Sequence, residues 1–194
     1  MKKVPDEVLL EIAKKSIEET FADEQLIDKA RLLAQFPGLA EEGAVFVTLN
    51  KMKDDKKTLR GCIGSVVPHG PLLDDIIRNA KAAAFSDPRF PPLRPEELEN
   101  LEIEVSVLSY PGKVDYADAY DLQRKIIPGR HGVILKSGEK QATFLPQVWE
   151  KLPDFNLFFA QLCNKAGLPA DCLNRHPDIY VYEVHETKAP WKRL

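Results

Sequence analysis

The stretch Leu59-Arg60-Gly61-Cys62-Ile63-Gly64, continued by Ser65-Val66-Val67, has the texture of a β-strand. Yet it carries two glycines, an arginine and a thiol within six positions. Glycine inside a strand weakens it, and marks a bulge or a place where something must come close to the backbone. Period-two alternation puts Arg60, Cys62 and Gly64 on one face, and Leu59, Gly61 and Ile63 on the other. A guanidinium and a thiol would then share a face beside a position with no side chain. Upstream, Ala44–Leu49 is an apolar, β-rich run. The charged segment Lys51–Lys57 between the two runs predicts a hairpin.

The flanking segments supply helices and further strands. Val8, Leu9, Ile12, Ala13 and Ile17 form one stripe of a helix over about Pro5–Glu19, and a shorter helix is expected near Glu24–Leu33, ended by Pro37-Gly38. Pro68-His69-Gly70-Pro71 stops the signature strand and opens a helix with Leu72, Leu73, Ile76, Ile77, Ala80 and Ala84 inward. Asp87-Pro88-Arg89-Phe90-Pro91-Pro92 follows as a stiff, shaped connector, because its prolines fix φ and push their predecessors toward extended geometry. A short helical turn is expected at Arg94–Leu98. Leu101–Tyr110 alternates Leu101, Ile103, Val105 and Val107 against Glu102, Glu104 and Ser106, a half-buried strand.

Beyond Lys113 the texture changes. A helix near Asp118–Lys125 precedes Pro128-Gly129-Arg130-His131-Gly132, and Val133–Leu135 and Ala142–Leu145 flank Ser137-Gly138 as a second hairpin. Helices near Gln147–Lys151 and Asp154–Ala166 follow, the latter burying Phe155, Phe158, Phe159 and Leu162 and ending at Gly167. Ile179–Val184 reads as a strand returning to the first sheet. The expected architecture is α+β in two lobes. The larger holds an antiparallel sheet with flanking helices and both chain ends, approximately 1–112 with 178–194, and the smaller α+β lobe is inserted at about 113–177.

A formal net charge of −3 gives no global attraction to nucleic acid or to an anionic membrane. The odd cysteine count, with Cys62, Cys163 and Cys172 forming no C-x-x-C pair, predicts free thiols, with Cys163 as plain core. Lys2-Lys3 leads into a charged amphipathic helix instead of the apolar run of a signal peptide, and the cytoplasm is the expected compartment.

Leu59–Gly64 is similar to the signature hexapeptide of the AMMECR-type domain, the family that includes AmmeMemoRadiSam system protein A. The likeness extends, in family order, through Asp87–Phe90, Leu101–Leu108, Gly129–Gly132, Phe144–Trp149 and Leu162–Leu168, and covers roughly residues 4–188. The segment Lys51–Lys57 departs from the pattern by its length. The resemblance implies a two-lobe α+β fold with an antiparallel sheet in each lobe and the signature near a cleft. By the family's name it implies an association with Memo-type and radical-SAM pathway proteins. It implies no established activity, and leaves the cofactor unknown.

Several residues are candidates for chemistry. Cys62 beside Arg60 is a candidate nucleophile, since a neighbouring cation favours the thiolate; the alternative is a small buried hydrophobe. His131, between glycines, is a candidate general base for a Cys62–His131 dyad with Glu104 orienting, or else a turn-filling histidine. Glu104 is either solvent-facing or buried with a partner, for which Arg60 on a nearby strand is the candidate. Asp87 and Arg89 read as a turn-locking ion pair, and Gln147 as a helix cap or cleft residue. Gly61 and Gly64 are candidate points of close ligand approach. Cys62, Glu104, His131 and His69 lack metal-ligand spacing, so no metal site is assigned. Two function classes remain: a cysteine-dependent small-molecule or modification enzyme, and a non-catalytic adaptor for a peptide, nucleotide, nucleic acid or partner protein.

Overall fold

The computed structural model describes residues 4–53 and 56–191. Lys2-Lys3 and Asp54-Asp55 lie outside the described residues. The chain forms two compact units, one made of the residues up to Leu108 together with those from His185 onward, the other of Ser109–Val184.

The first unit is built on a four-stranded antiparallel sheet in the order β2-β1-β3-β8, formed by β1 (Ala44–Lys53), β2 (Lys56–Gly64), β3 (Leu101–Leu108) and β8 (Val184–Pro190). Val47, Leu49, Ile103 and Val105 stand on one face of it and are fully buried. Against that face pack α3 (Leu72–Phe85) and, on α3, α1 (Asp6–Ala22), through Ile12, Ala13, Ile17, Ile76 and Ala80. The period-3.6 stripes anticipated for both helices are the surfaces they bury. A shorter α2 (Lys29–Gln35) starts later than expected. Asp28 caps it, accepting the main-chain N–H of Arg31 at 3.0 Å, while Leu26 and Ile27 donate their N–H groups to Glu19 instead.

The second unit has its own four-stranded sheet, β4-β7-β5-β6, of β4 (Gly112–Val114), β5 (Gly132–Ser137), β6 (Lys140–Phe144) and β7 (Asp178–Tyr182). Three helices, α4 (Ala119–Lys125), α5 (Val148–Lys151) and α6 (Phe155–Lys165), accompany it. Its core centres on Trp149 stacked on Phe158 at 3.5 Å between ring centroids, with Phe159, Leu162, Val133, Leu135 and Ile179 around them.

Two expectations are corrected. The strand at Ile179–Val184 does not return to the first sheet. As β7 it pairs with β4 and β5, and the following strand β8 joins the first sheet. Period-two patterning identifies a strand but carries no information about which edge accepts it. Nor are all three cysteines free: Cys163 and Cys172 form a disulfide, both buried, and Cys62 alone is free. The 3-10 turn at Cys172–Arg175, which no periodicity announces, brings Cys172 back onto α6.

Candidate functional site

Strand β2 lies at the edge of the first sheet, and its register explains the signature. Gly64, Ile63, Cys62 and Gly61 pair in turn with Phe46, Val47, Thr48 and Leu49, but the next pair is Leu59 with Asn50. Arg60 is the extra residue of a β-bulge. The bulge breaks the alternation expected from the sequence: Cys62 and Gly64 share a face with Leu59, and Arg60 stands apart from them.

Arg60 turns inward and is 8% exposed. Its Nε and Nη2 donate to the two carboxylate oxygens of Glu97 at 2.9 and 3.0 Å, and the guanidinium lies 6.0 Å from the ring centroid of Phe90. Glu97 sits in the 3-10 turn Pro95–Asn100, and its carboxyl is held at about 2, mainly by the Arg60 hydrogen bonds. Arg60 is therefore not the partner of Glu104.

Both main-chain groups of Cys62 are held by the connector after α3. Its N–H donates to Oδ2 of Asp87 at 2.8 Å, and Nη2 of Arg89 donates to its carbonyl at 3.1 Å. Asp87, 4% exposed, also accepts from Nε and Nη2 of Arg89 at 2.9 and 2.7 Å. These bonds hold its carboxyl well below the usual range. An edge strand exposes unpaired N–H and C=O groups, and here two side chains take the place of a neighbouring strand.

The glycines have packing reasons. A Cβ on Gly61 would meet the carbonyl oxygen of Ala83 at 2.1 Å, so α3 lies directly against the strand. A Cβ on Gly64 would meet the ring of Phe46 at 2.2 Å. The close approaches that the glycines signal are made by the chain itself.

With its backbone engaged at the edge, Cys62 faces Thr48 across β1, and Oγ1 of Thr48 donates to Sγ at 3.2 Å. Thr48 in turn pairs with Glu104 on β3. Cys62, Thr48 and Glu104 thus form a row across three strands, all half-buried. Burial first, and then Glu186, push the Glu104 carboxyl upward; Lys57, at 3.7 Å, pulls the other way. The next row joins Leu59, Asn50 and Glu102, with Lys57 Nζ 2.6 Å from Glu102. Asn50 is 5% exposed, and its Nδ2 has no hydrogen-bond partner among the described residues.

The AMMECR1 family model matches residues 10–187. The chain belongs to the AMMECR1 family. A protein of Thermococcus gammatolerans is 41% identical over 194 residues, which cover 95% of this chain and 91% of that protein. A protein of Saccharolobus solfataricus is 44% identical over 168 residues, 85% of this chain and 72% of that one. The crystal structure of the uncharacterized protein PH0010 from Pyrococcus horikoshii is similar with a TM-score of 0.79 and 37% identity, covering 94% of this chain and 90% of that one.

In this AMMECR1-family chain His131 and Gln147 belong to the second unit. Nδ1 of His131 accepts the main-chain N–H of Ile127 at 3.1 Å, and its carbonyl accepts from Nε1 of Trp149 at 3.0 Å. Burial lowers the pKa of the ring. With Nδ1 an acceptor, the neutral imidazole carries its proton on Nε2, which makes that nitrogen a donor. Gln147 stands at the start of α5 and does not cap it through its side chain. His69 is exposed in the loop before α3. Among the described residues no three His, Cys, Asp or Glu side chains are grouped to hold a metal ion, and no helix is long and apolar enough to cross a membrane.

Sequence reasoning missed Thr48, Asn50 and Glu97, which look like ordinary strand and turn residues until strand register and the bulge are known. It also missed Asp75. Buried at 2% exposure, Asp75 accepts from Val45 N–H at 2.9 Å, Ser65 Oγ at 2.9 Å and Asn79 Nδ2 at 3.0 Å, and it contacts Arg78. It ties α3 to β1 and to the residue after β2.

Proposed function

We propose that the Cys62–Thr48–Glu104 row is the functional site of this chain, and that Cys62 serves there as a nucleophilic thiol in a small-molecule or modification reaction. The observation that carries the reading is the Thr48 hydroxyl aimed at Sγ at 3.2 Å. A side-chain donor directed at sulfur is placed where negative charge develops as S–H ionises. The Arg89 guanidinium on the Cys62 carbonyl adds a positive group nearby. Glu104, made a better proton acceptor by burial, lies one strand beyond Thr48. In the step, the S–H proton passes to a carboxylate, sulfur forms a bond to an electrophilic carbon, and the bond from that carbon to its leaving group breaks, the leaving group departing with the bonding pair.

The alternative, an adaptor whose glycines admit a ligand to the backbone, has less support, because Ala83 and Phe46 already occupy those approaches. Iodoacetamide alkylation separates the two. A nucleophilic Cys62 reacts at least about tenfold faster than N-acetylcysteine at pH 7, and Thr48→Val removes most of that advantage. Equal rates for protein and free thiol would overturn the reading.

A further inference from the structure

Helix α2 stands off α1 and is nonetheless fixed in place. None of its residues is buried. Just before it, Ile27 is buried, and Glu19 of α1 accepts the N–H groups of Leu26 and Ile27 at 3.0 and 2.9 Å. Lys29, its first residue, reaches Asp74 of α3 at 2.7 Å, and beyond its end Leu39 is fully buried. Between the two helices a groove of about 300 Å³ remains. Small-molecule sites span roughly 300–1,000 Å³, so the space suits a small ligand and not a peptide.

The groove has an apolar floor and polar walls. Val8 and Ile12 of α1 line the floor with Leu32 of α2 and Phe36 after it, and the last two are only partly buried. Covering such a surface releases the water on it. On the α1 wall, Lys15 is paired with Glu11 at 2.6 Å. On the α2 wall, Arg31 and Gln35 stand one helical turn apart on the same side. Neither side chain has a partner among the described residues. Asp28, the other charged group of the lining, is engaged in capping α2. The guanidinium is thus the charged group left without a partner there, and its planar fork matches a carboxylate. Glu11 and Asp28 close by disfavour a dianion such as a phosphate ester.

We infer that the groove between α1 and α2 binds a small apolar monocarboxylate. Its hydrocarbon body lies on Val8, Ile12, Leu32 and Phe36, its carboxylate meets Arg31, and the Gln35 amide is a second donor to it. None of these residues belongs to the Cys62 row, so the site stands independently of the thiol reading.

The test is an NMR titration of the ¹⁵N-labelled full chain with octanoate, and with octanol, which keeps the hydrocarbon and lacks the charge. Octanoate should bind saturably, with amide shifts centred on Val8, Ile12, Ile27 and Leu32, and about fivefold more tightly than octanol, as much as an exposed ion pair gives. Arg31 is exposed, so Arg31→Gln should fold normally, weaken octanoate about fivefold and leave octanol unchanged. Leu32→Trp, which fills the groove from the α2 side, should weaken both ligands about tenfold or more. Cys62→Ser should bind both as wild type does. Octanoate that does not saturate the wild-type chain, or whose shifts centre elsewhere, overturns the site whether or not a variant folds. Equal affinity for acid and alcohol, unchanged by Arg31→Gln, overturns the carboxylate assignment. Loss of binding in Cys62→Ser would put the ligand in the thiol row and overturn this proposal while leaving the thiol reading in place.

Discussion

The main-chain N–H of Cys62 donates to Oδ2 of Asp87, 25 residues away in sequence, at 2.8 Å, and Arg89 closes the same link from the carbonyl side at 3.1 Å. The thiol-bearing residue of the signature is therefore positioned by a loop that follows the next helix. The Asp87–Phe90 motif and the signature hexapeptide are two halves of one structural device.

Breaking that link should loosen the edge strand selectively. Asp87→Ala leaves the Arg89 guanidinium and the Cys62 N–H without their acceptor, and is expected to cost about 3 kcal/mol of stability. Amide hydrogen exchange at Cys62 should accelerate more than at Val47 in the neighbouring strand. Uniform acceleration across the sheet would argue against a local pin.

Gly61→Ala places a methyl group 2.1 Å from the Ala83 carbonyl oxygen, which belongs to helix backbone and has no rotamer to change. Either α3 lifts or the strand shifts. Urea unfolding should show a loss of about 3 kcal/mol. A loss below about 1 kcal/mol would mean that the helix does not sit tightly on the strand.

Acid should act through Glu97. Its pKa falls from 4.5 to about 2 on folding, so the Arg60 pair contributes stability above pH 4.5 that is lost as pH drops toward about 2. Glu97→Gln is expected to be less stable at neutral pH and to lose this part of the acid slope. Parallel pH–stability curves for variant and wild type would refute the assignment.

The thiol inventory provides a direct check on the second unit. Native oxidised protein should titrate one free thiol, Cys62, and unfolded reduced protein all three. The disulfide closes a loop of 9 residues' separation, so Cys172→Ser should lower stability by about 2.5 kcal/mol. Three thiols in the unreduced native chain would disprove the bond.

Much of this was legible in the residues alone. The stripe Val8, Leu9, Ile12, Ala13, Ile17 and the alternation of Leu101–Val107 announce α1 and β3, because local periodicity dictates which face can be buried. The two glycines announced close approaches, and those approaches are present. Their agents, Ala83 and Phe46, were not legible, since a glycine shows that space is short without showing what fills it.

What the chain's sequence determined by itself was most of its elements, though not the strands β4 and β8, its two-sheet α+β class and the family to which it belongs. What only the tertiary structure decided was the arrangement that matters for chemistry. One extra residue at Arg60 reverses which neighbours share the face of Cys62, sending the guanidinium to Glu97 and leaving the thiol with Thr48 and Glu104. The same holds for the placement of β7 and for the Cys163–Cys172 bond. Strand pairing, bulges and disulfides are long-range choices among locally equivalent options. Local residue patterns specify the faces of each element, and only packing selects which faces meet.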